Sequence, residues 1–384
     1  MILHELVSYE TLRLVWWLLI GVLLVAFAVT DGFDFGVGML LPFAGRNDLE
    51  RRVIINSIGP VWEGNQVWLV LGGGAIFAAW PQLYAVSFSG FYFAMFAILV
   101  ALILRPVAFK FRGKREGAAW RARWDAALFL GGLVPPLIFG VAMGNVLQGV
   151  PFRLAPDMQI FYEGSFFGLL NPFALLAGLV SVAMMVMHGG AWLQLKTQGP
   201  VADRARRYAM VAALATIALY ALAGYLLWAV VDGYRVTSAL STQGPSNPLL
   251  KTAVVQPGAW FANYAAHPWL WAVPGAGFGG ALIALLALAL RREVLAILAS
   301  ALGIAGIILS VGASMFPFIL PSSIDPRASL TVWDSSSSHL TLFIMLVVTT
   351  IFIPIIVAYT SWVYKVLWGK VDVDAIREER GHAY

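Results

Sequence analysis

The sequence contains no cysteine among its 384 residues and only five histidines. Without thiolates it can hold no disulfide, no cysteine-bound zinc, no cysteine-ligated iron–sulfur cluster and no covalently attached c-type haem. Charge is the second scarcity. Asp, Glu, Lys and Arg make up 12% of the chain, against about 25% in a soluble domain. The set AVILMFWYC makes up 60%, so a soluble globular protein is excluded. The formal charge of +5 does not indicate a nucleic-acid partner, because basic residues in so apolar a chain belong to loops on the cytoplasmic side of a membrane.

What is present is a series of long apolar runs. A hydrocarbon core about 30 Å thick needs roughly 20 helical residues at about 1.5 Å each. Nine such runs are found: Leu12–Leu41, Val53–Ala79, Leu83–Leu104, Trp124–Val146, Phe166–Leu193, Tyr208–Val231, His267–Leu290, Glu293–Phe318 and Leu340–Val366. The expected fold is an all-α polytopic membrane protein of nine transmembrane helices, a single integral-membrane domain over residues 1–384. No strand pattern competes, and no internal repeat is apparent.

Basic residues fall almost entirely on one side. Counting connections in order, the loops after spans 1, 3, 5 and 7 and the C-terminal tail carry 20 of the 25 Lys and Arg. The loops after spans 4, 6 and 8 carry four, and Arg13 lies at the first membrane boundary. The positive-inside rule then places the N-terminus outside and the C-terminus, ending at Tyr384, in the cytoplasm. Ala26-Phe27-Ala28 has the small-x-small look of a signal-peptidase site, but Glu5 and Glu10 occupy what would be a basic n-region, so the first span is expected to be retained. Trp residues near the span ends form an aromatic belt. The segment from Asp232 to Ala266 carries Trp260, Phe261 and Tyr264 and is expected to be an ordered outer loop.

Three acids lie inside spans: Asp31 and Asp34 in TDGFDFGVGML, and Glu63 in GPVWEGNQVWLV. A charge at mid-span costs about 2.5–3.5 kcal/mol on insertion scales, so such acids face protein or water and serve either ion and proton routes or helix-to-helix hydrogen bonding. Asp34 and Glu63 each lie roughly 14–15 Å from the basic surface at about 1.5 Å per residue. The short intervening loop makes their helices antiparallel neighbours, so the two acids are expected to share one buried site. Asp31 is one turn deeper on a similar face, and Asn65 and Gln66 continue the polar cluster.

Histidine points the other way. His4 and His382 lie in tails, His267 and His339 at outer span ends, and only His188 lies well within a span, beside Met184, Met185 and Met187. They do not converge as haem or copper ligands must, so no haem or metal is expected on this chain's own residues. The glycine-rich stretches Leu71–Gly74 and 275–280 lack the Lys-Ser/Thr of a phosphate loop and are read as close helix contacts. Ser335–Ser338 with Asp334 and His339 is read as a polar outer loop rather than a hydrolase site.

Several long motifs occur in order: TDGFDFGVGMLLPF, RRVIINSIGPVWEGNQVWLV, GGAIFAAWP, GGLVPPLIFGVAMGNVLQGVPF, NPFALLAGLVSV, MFPFILPSS and SLTVWDSSSSHLTL. In these the chain resembles subunit II of bacterial cytochrome bd-type quinol oxidases over essentially its whole length. The resemblance implies a nine-helix, haem-free subunit paired with subunit I, which carries two b-type haems and haem d. The complex would oxidise quinol, reduce oxygen to water and draw the chemical protons from the cytoplasm, forming a proton gradient without pumping. The resemblance further implies a bacterial inner-membrane location with the N-terminus periplasmic, and a proton path through Glu63, where some members have Asp; Asp34 and Asp31 join that path on their depth and face within the first span. It places Trp68 near an oxygen entrance, to be weighed against plain lipid-facing packing. It also implies a structural quinone in some members, a small single-span accessory subunit, and contact with quinol and lipid. Ala108 and Lys110 replace the Gly and Asp of some members, so contacts there are not carried over. From the residues alone, an independent proton-coupled transporter is the competing reading.

Overall fold

The computed structural model describes residues 3–371 and 373–377. Tyr384, His382 and the side chain of His4 lie outside the described residues. The helices in chain order are α1 (Tyr9–Ala44), α2 (Asp48–Ile58), α3 (Trp62–Asn65), α4 (Val67–Ala79), α5 (Pro81–Gly90), α6 (Tyr92–Phe111), α7 (Ala118–Gln148), α8 (Pro172–Lys196), α9 (Gly199–Ala229), α10 (Ala262–Ala266), α11 (Ala272–Ala289), α12 (Glu293–Met315), α13 (His339–Val366) and α14 (Val373–Arg377). Among the described residues, α1, α6 to α9 and α11 to α13 are the eight single helices long and apolar enough to cross a membrane. In lipid the helix is the form that lets an open chain satisfy its backbone internally.

The second expected span is not a single helix. It is assembled from α2, α3 and α4, interrupted at Gly59-Pro60-Val61 and again at Gln66. Pro60 has no N–H to donate and so breaks the helical ladder there. The third expected span also departs from expectation. The chain turns by 119° between Ala79 and Pro81, α5 gives way to α6 at Phe91, and α6 runs on to Phe111. Side-chain caps mark where helices start. Ser8, Asn47, Asn171 and Ser338 accept from the backbone N–H groups of Thr11, Glu50, Ala174 and Thr341 respectively.

α1 is the central element, packed against α7, α8, α12 and α4. Small residues set its approach to its neighbours. A Cβ on Gly36 would lie 2.8 Å from Gly189 Cα of α8, and one on Gly132 of α7 would lie 2.6 Å from Phe35 O. Gly280 and Gly303 play the same part between α11 and α12. Gly72, Gly73 and Gly74 do not behave as expected, since among the described residues no neighbouring element comes within 4 Å of a Cβ at any of them.

The loops gather at two ends. At the basic end Arg51 and Arg112 pair with Asp125, Arg112 and Arg121 with Asp48, Arg204 with Glu50, and Lys370 with Glu293. At the opposite end are three two-stranded antiparallel sheets: β1 (Phe152–Leu154) with β2 (Ile160–Tyr162), β3 (Gly233–Val236) with β4 (Ala253–Gln256), and β5 (Phe318–Leu320) with β6 (Leu330–Thr331). Strands this short leave no periodic trace in sequence, which is why none was expected. β3 and β4 order the loop from Asp232 to Ala266 as anticipated, with Trp260 buried and its indole N–H donating to Leu147 O at 3.0 Å.

Candidate functional site

Asp31 and Asp34 lie one helical turn apart on α1, three residues being near neighbours on a helix surface. Both are fully buried. The cation that meets them is Arg105 of α6, itself 3% exposed. Its guanidinium donates to both oxygens of Asp31, at 2.8 Å from Nη2 to Oδ1 and 3.1 Å from Nη1 to Oδ2. This is the fork geometry that makes Arg the preferred partner of a buried carboxylate. The guanidinium also lies over the rings of Phe35 and Trp62, at 4.5 and 5.8 Å from their centroids. Gly131 of α7 leaves room for it, since a Cβ there would fall 2.6 Å from Arg105 Cγ.

Arg105 was counted from sequence among the loop charges after span 3. In the structure α6 continues past it, so it is an intramembrane residue and the counter-ion that the acids require. The sequence signal was available, because two carboxylates within one turn of a span call for a cation at matching depth.

Asp34 is held differently. Asn65 Nδ2 donates to its Oδ2 at 2.8 Å, and Tyr364 Oη of α13 donates to Asn65 Oδ1 at 2.7 Å. Asp34 Oδ1 is buried and has no hydrogen-bond partner among the described residues. One Arg thus serves two carboxylates, with its full fork committed to Asp31.

Glu63 does not join them. The expectation of a shared Asp34–Glu63 site is corrected: Asn65 occupies that place, and Glu63 is exposed on the opposite side of α3. The reason is helical geometry. Residues two apart point in nearly opposite directions, so turning Asn65 toward α1 turns Glu63 away. Glu63 joins Val67 and Val70 on an uncovered apolar face.

Trp68 is buried against Leu23, Phe27 and Phe35 rather than facing lipid, with its indole N–H unpartnered among the described residues. His188 is buried and bonded through Nδ1 to Ser300 Oγ at 2.7 Å and through Nε2 to Val29 O at 2.9 Å. Both ring nitrogens are engaged, so it ties α8 to α12 and α1. Among the described residues no three His, Cys, Asp or Glu side chains are placed to hold a metal ion. Ser336 and Ser337 belong to the loop that enters α13 opposite the basic end, accepting from Arg13 Nε at 2.8 Å and donating to Ala78 O at 2.5 Å respectively.

Residues 12–367 match the family model described as cytochrome bd terminal oxidase subunit II. The chain belongs to this family. It is 50% identical over 378 residues to cytochrome bd-I ubiquinol oxidase subunit 2 of Escherichia coli strain K12, covering 98% of this chain and 100% of that one. It is 49% identical, with the same coverage, to the probable cytochrome oxidase subunit 2 of Haemophilus influenzae. It is 33% identical to cytochrome bd ubiquinol oxidase subunit 2 of Bacillus subtilis, over 93% of this chain and 96% of that one. The solved bd oxidase of Geobacillus thermodenitrificans contains a chain of similar fold, with a TM-score of 0.69 at 18% identity over 93% of this chain and 98% of that one. As a bd-type oxidase subunit II the chain is a multi-pass protein of the bacterial inner membrane and one part of an enzyme complex, which sets aside an independent transporter.

Proposed function

We propose that this chain is the haem-free subunit II of a cytochrome bd-type quinol:oxygen oxidoreductase, and that its buried acids carry protons toward the oxygen-reducing centre. Subunit I supplies the b and d haems, and with them the quinol oxidation and oxygen reduction. Subunit II is then a scaffold and a proton carrier, working beside a small single-span accessory subunit, quinol and lipid.

The observation that carries this reading is the unequal sharing of Arg105. Asp31 takes both arms of the fork, while Asp34 keeps one amide donor and one unpartnered oxygen. A fixed ion pair beside a second carboxylate makes a site where one proton can be held and released without separating the pair. Glu63 is the outward member of the path. Its exposed carboxyl lies on an apolar face where an unpaired charge in lipid is costly, and contact with subunit I would cover it. Trp68, packed in an apolar cluster behind that face, is assigned to the oxygen entrance.

Glu63→Gln and Asp34→Asn keep shape and hydrogen bonding but remove the titrating proton. Each variant should assemble with normal haem content and consume oxygen more slowly per haem. If both act in series in one proton-transfer chain, the double variant should be about as slow as the slower single variant, roughly a hundredfold below wild type. Wild-type rates in the double variant across a pH series would reduce the acids to helix ties.

A further inference from the structure

Below the acid cluster, on the basic end, lies a cavity of about 290 Å³ whose walls include Asn56, Ser57, Trp192, Lys196, Tyr364 and Lys370. Its floor is the stretch that follows α13. Val371 N donates to Lys196 O at 2.8 Å, Lys196 Nζ to Leu367 O at 2.6 Å, and Lys370 Nζ to Thr197 O at 3.1 Å and Glu293 Oε1 at 2.6 Å. These bonds hold the tail against the end of α8 while leaving a space far larger than a single water requires.

The roof is Tyr364. Its ring stands among Phe33 and Trp192, at 6.4 and 6.0 Å between centroids. Its hydroxyl is the first link of the bonded series Tyr364–Asn65–Asp34. One residue therefore both lines a solvent-sized space at the basic surface and bonds the amide that holds Asp34. An amide does not pass protons along as water does, so the bonded series is a latch rather than a wire.

We propose that this cavity is the water-filled entrance through which protons reach Asp34, and that Tyr364 is its gate. In the closed arrangement the Tyr364 hydroxyl keeps Asn65 against Asp34. When that bond opens, water in the cavity reaches the Asp34 carboxylate. A hydronium ion gives up one proton, water remains, and the carboxylate becomes a carboxylic acid. The groups that set its charge balance are Asp31 on α1, Arg105 on α6, and Lys196 and Lys370 at the cavity walls, the last paired with Glu293. Tyr364 acts through Asn65 and is a positioning residue.

The proposal rests on the reading that Asp34 carries protons, and the test separates the two. Because the chain has no cysteine, Asn56→Cys places a single thiol on it at the cavity wall. The whole complex, in vesicles with the basic face outward, is treated with a cationic trimethylammonium alkylthiosulfonate, and wild-type complex is treated in parallel to account for partner thiols. The unlabelled variant gives the reference rate against which the labelled one is read. Once labelled, it should consume oxygen about tenfold more slowly at alkaline pH, with a smaller loss at acidic pH where protons are plentiful and with unchanged haem spectra. Failure of the thiol to react, or labelling without loss of rate at any pH, would overturn the entrance.

Asp34→Asn is assayed beside it. If that variant is slow while the labelled cavity is harmless, the entrance alone is wrong; if Asp34→Asn runs at the wild-type rate, the proton-carrying reading falls as well. Tyr364→Phe keeps the ring and removes the latch. It should move the alkaline limb of the pH–rate profile, whereas a purely structural role would lower the rate by the same factor at every pH.

Discussion

Arg105 and Asp31 form an ion pair with side chains 3% and 0% exposed, and the consequence of breaking it depends on which partner is lost. Removing one member of such a pair strands the other, at a cost of about 3–5 kcal/mol, whereas replacing both with apolar residues is often close to neutral. Arg105→Met should therefore lower the melting temperature of the purified complex sharply, and adding Asp31→Leu should restore most of it. A double variant no more stable than the single one would show that the pair is not what Arg105 supports. A second residue-scale case lies outside the membrane. Burial disfavours the charged form of Glu50, but hydrogen bonds from Arg204 and the backbone N–H of Arg46, the charge of Arg204 and the Asn47 backbone together outweigh it, leaving its pKa below the ordinary 4.5. A carboxylate depressed by folding contributes stability that is present above its unfolded pKa and disappears as pH falls through the folded one. Glu50→Gln should thus melt below wild type at neutral pH, with the gap closing under more acidic conditions. A gap of constant size across that range would count against the Arg204 contact.

α1 and α8 meet where neither helix has a side chain. A Cβ on Gly189 would fall 2.4 Å from Gly36 C, a distance that forces the two backbones apart. Gly189→Ala should cost about 1–3 kcal/mol by overpacking, read as reduced melting temperature and reduced yield of assembled oxidase. Gly73→Ala, with open space around it, should leave the isolated chain's stability unchanged. Equal effects at the two sites would mean that glycine content rather than helix contact matters. At this scale much was legible in advance. The long apolar runs map onto α1, α7 to α9 and α11 to α13, because lipid imposes one length and one kind of pattern on each crossing. The break at Phe91 was not legible, since it lies inside a continuous apolar stretch and hydropathy is blind to backbone conformation; that at Gly59-Pro60 was signalled by the Gly-Pro dipeptide, which a reading by apolar run alone passes over. The placement of Glu63 failed for a related reason. Depth along a helix was estimated correctly enough to bring α3 beside α1, but rotation about the axis decides which of two polar residues faces inward, and Asn65 took that position. Arg105 was missed because a basic residue at the end of an apolar run looks like the start of a loop.

Across the molecule, burial is lopsided. α13 has Leu342 as its buried residue, and α4 and α6 expose Val67, Val70, Phe93, Phe96 and Ile103. These helices border the face that carries Glu63 and the open glycines of α4. A bulky side chain there, such as Gly74→Trp, should insert normally yet recover less haem when the complex is purified through a tag on this chain; full haem recovery would place subunit I on another face. The two ends of the molecule differ as much as its sides. Opposite the basic end, Lys251 is 2% exposed, its ammonium shared among Ser329 O, Pro248 O and Asp334. Burial lowers its pKa while Asp334 pulls it back up. Arg13 is equally enclosed, donating to Thr242 O at 2.7 Å and Gly244 O at 2.9 Å. Arg153 and Arg235 are held in strands, and Arg327 in a short turn whose guanidinium donates to Leu249 O. On the basic end Lys114 and Arg115 stand exposed between α6 and α7. Trypsin needs an accessible cation on a segment that can be drawn out into its cleft. The same interlocking that orders the loops opposite the basic end therefore gives the molecule one side that digestion passes over and one that it enters, and oriented vesicles exposed to trypsin should yield a cut between α6 and α7 only when the basic end is outward.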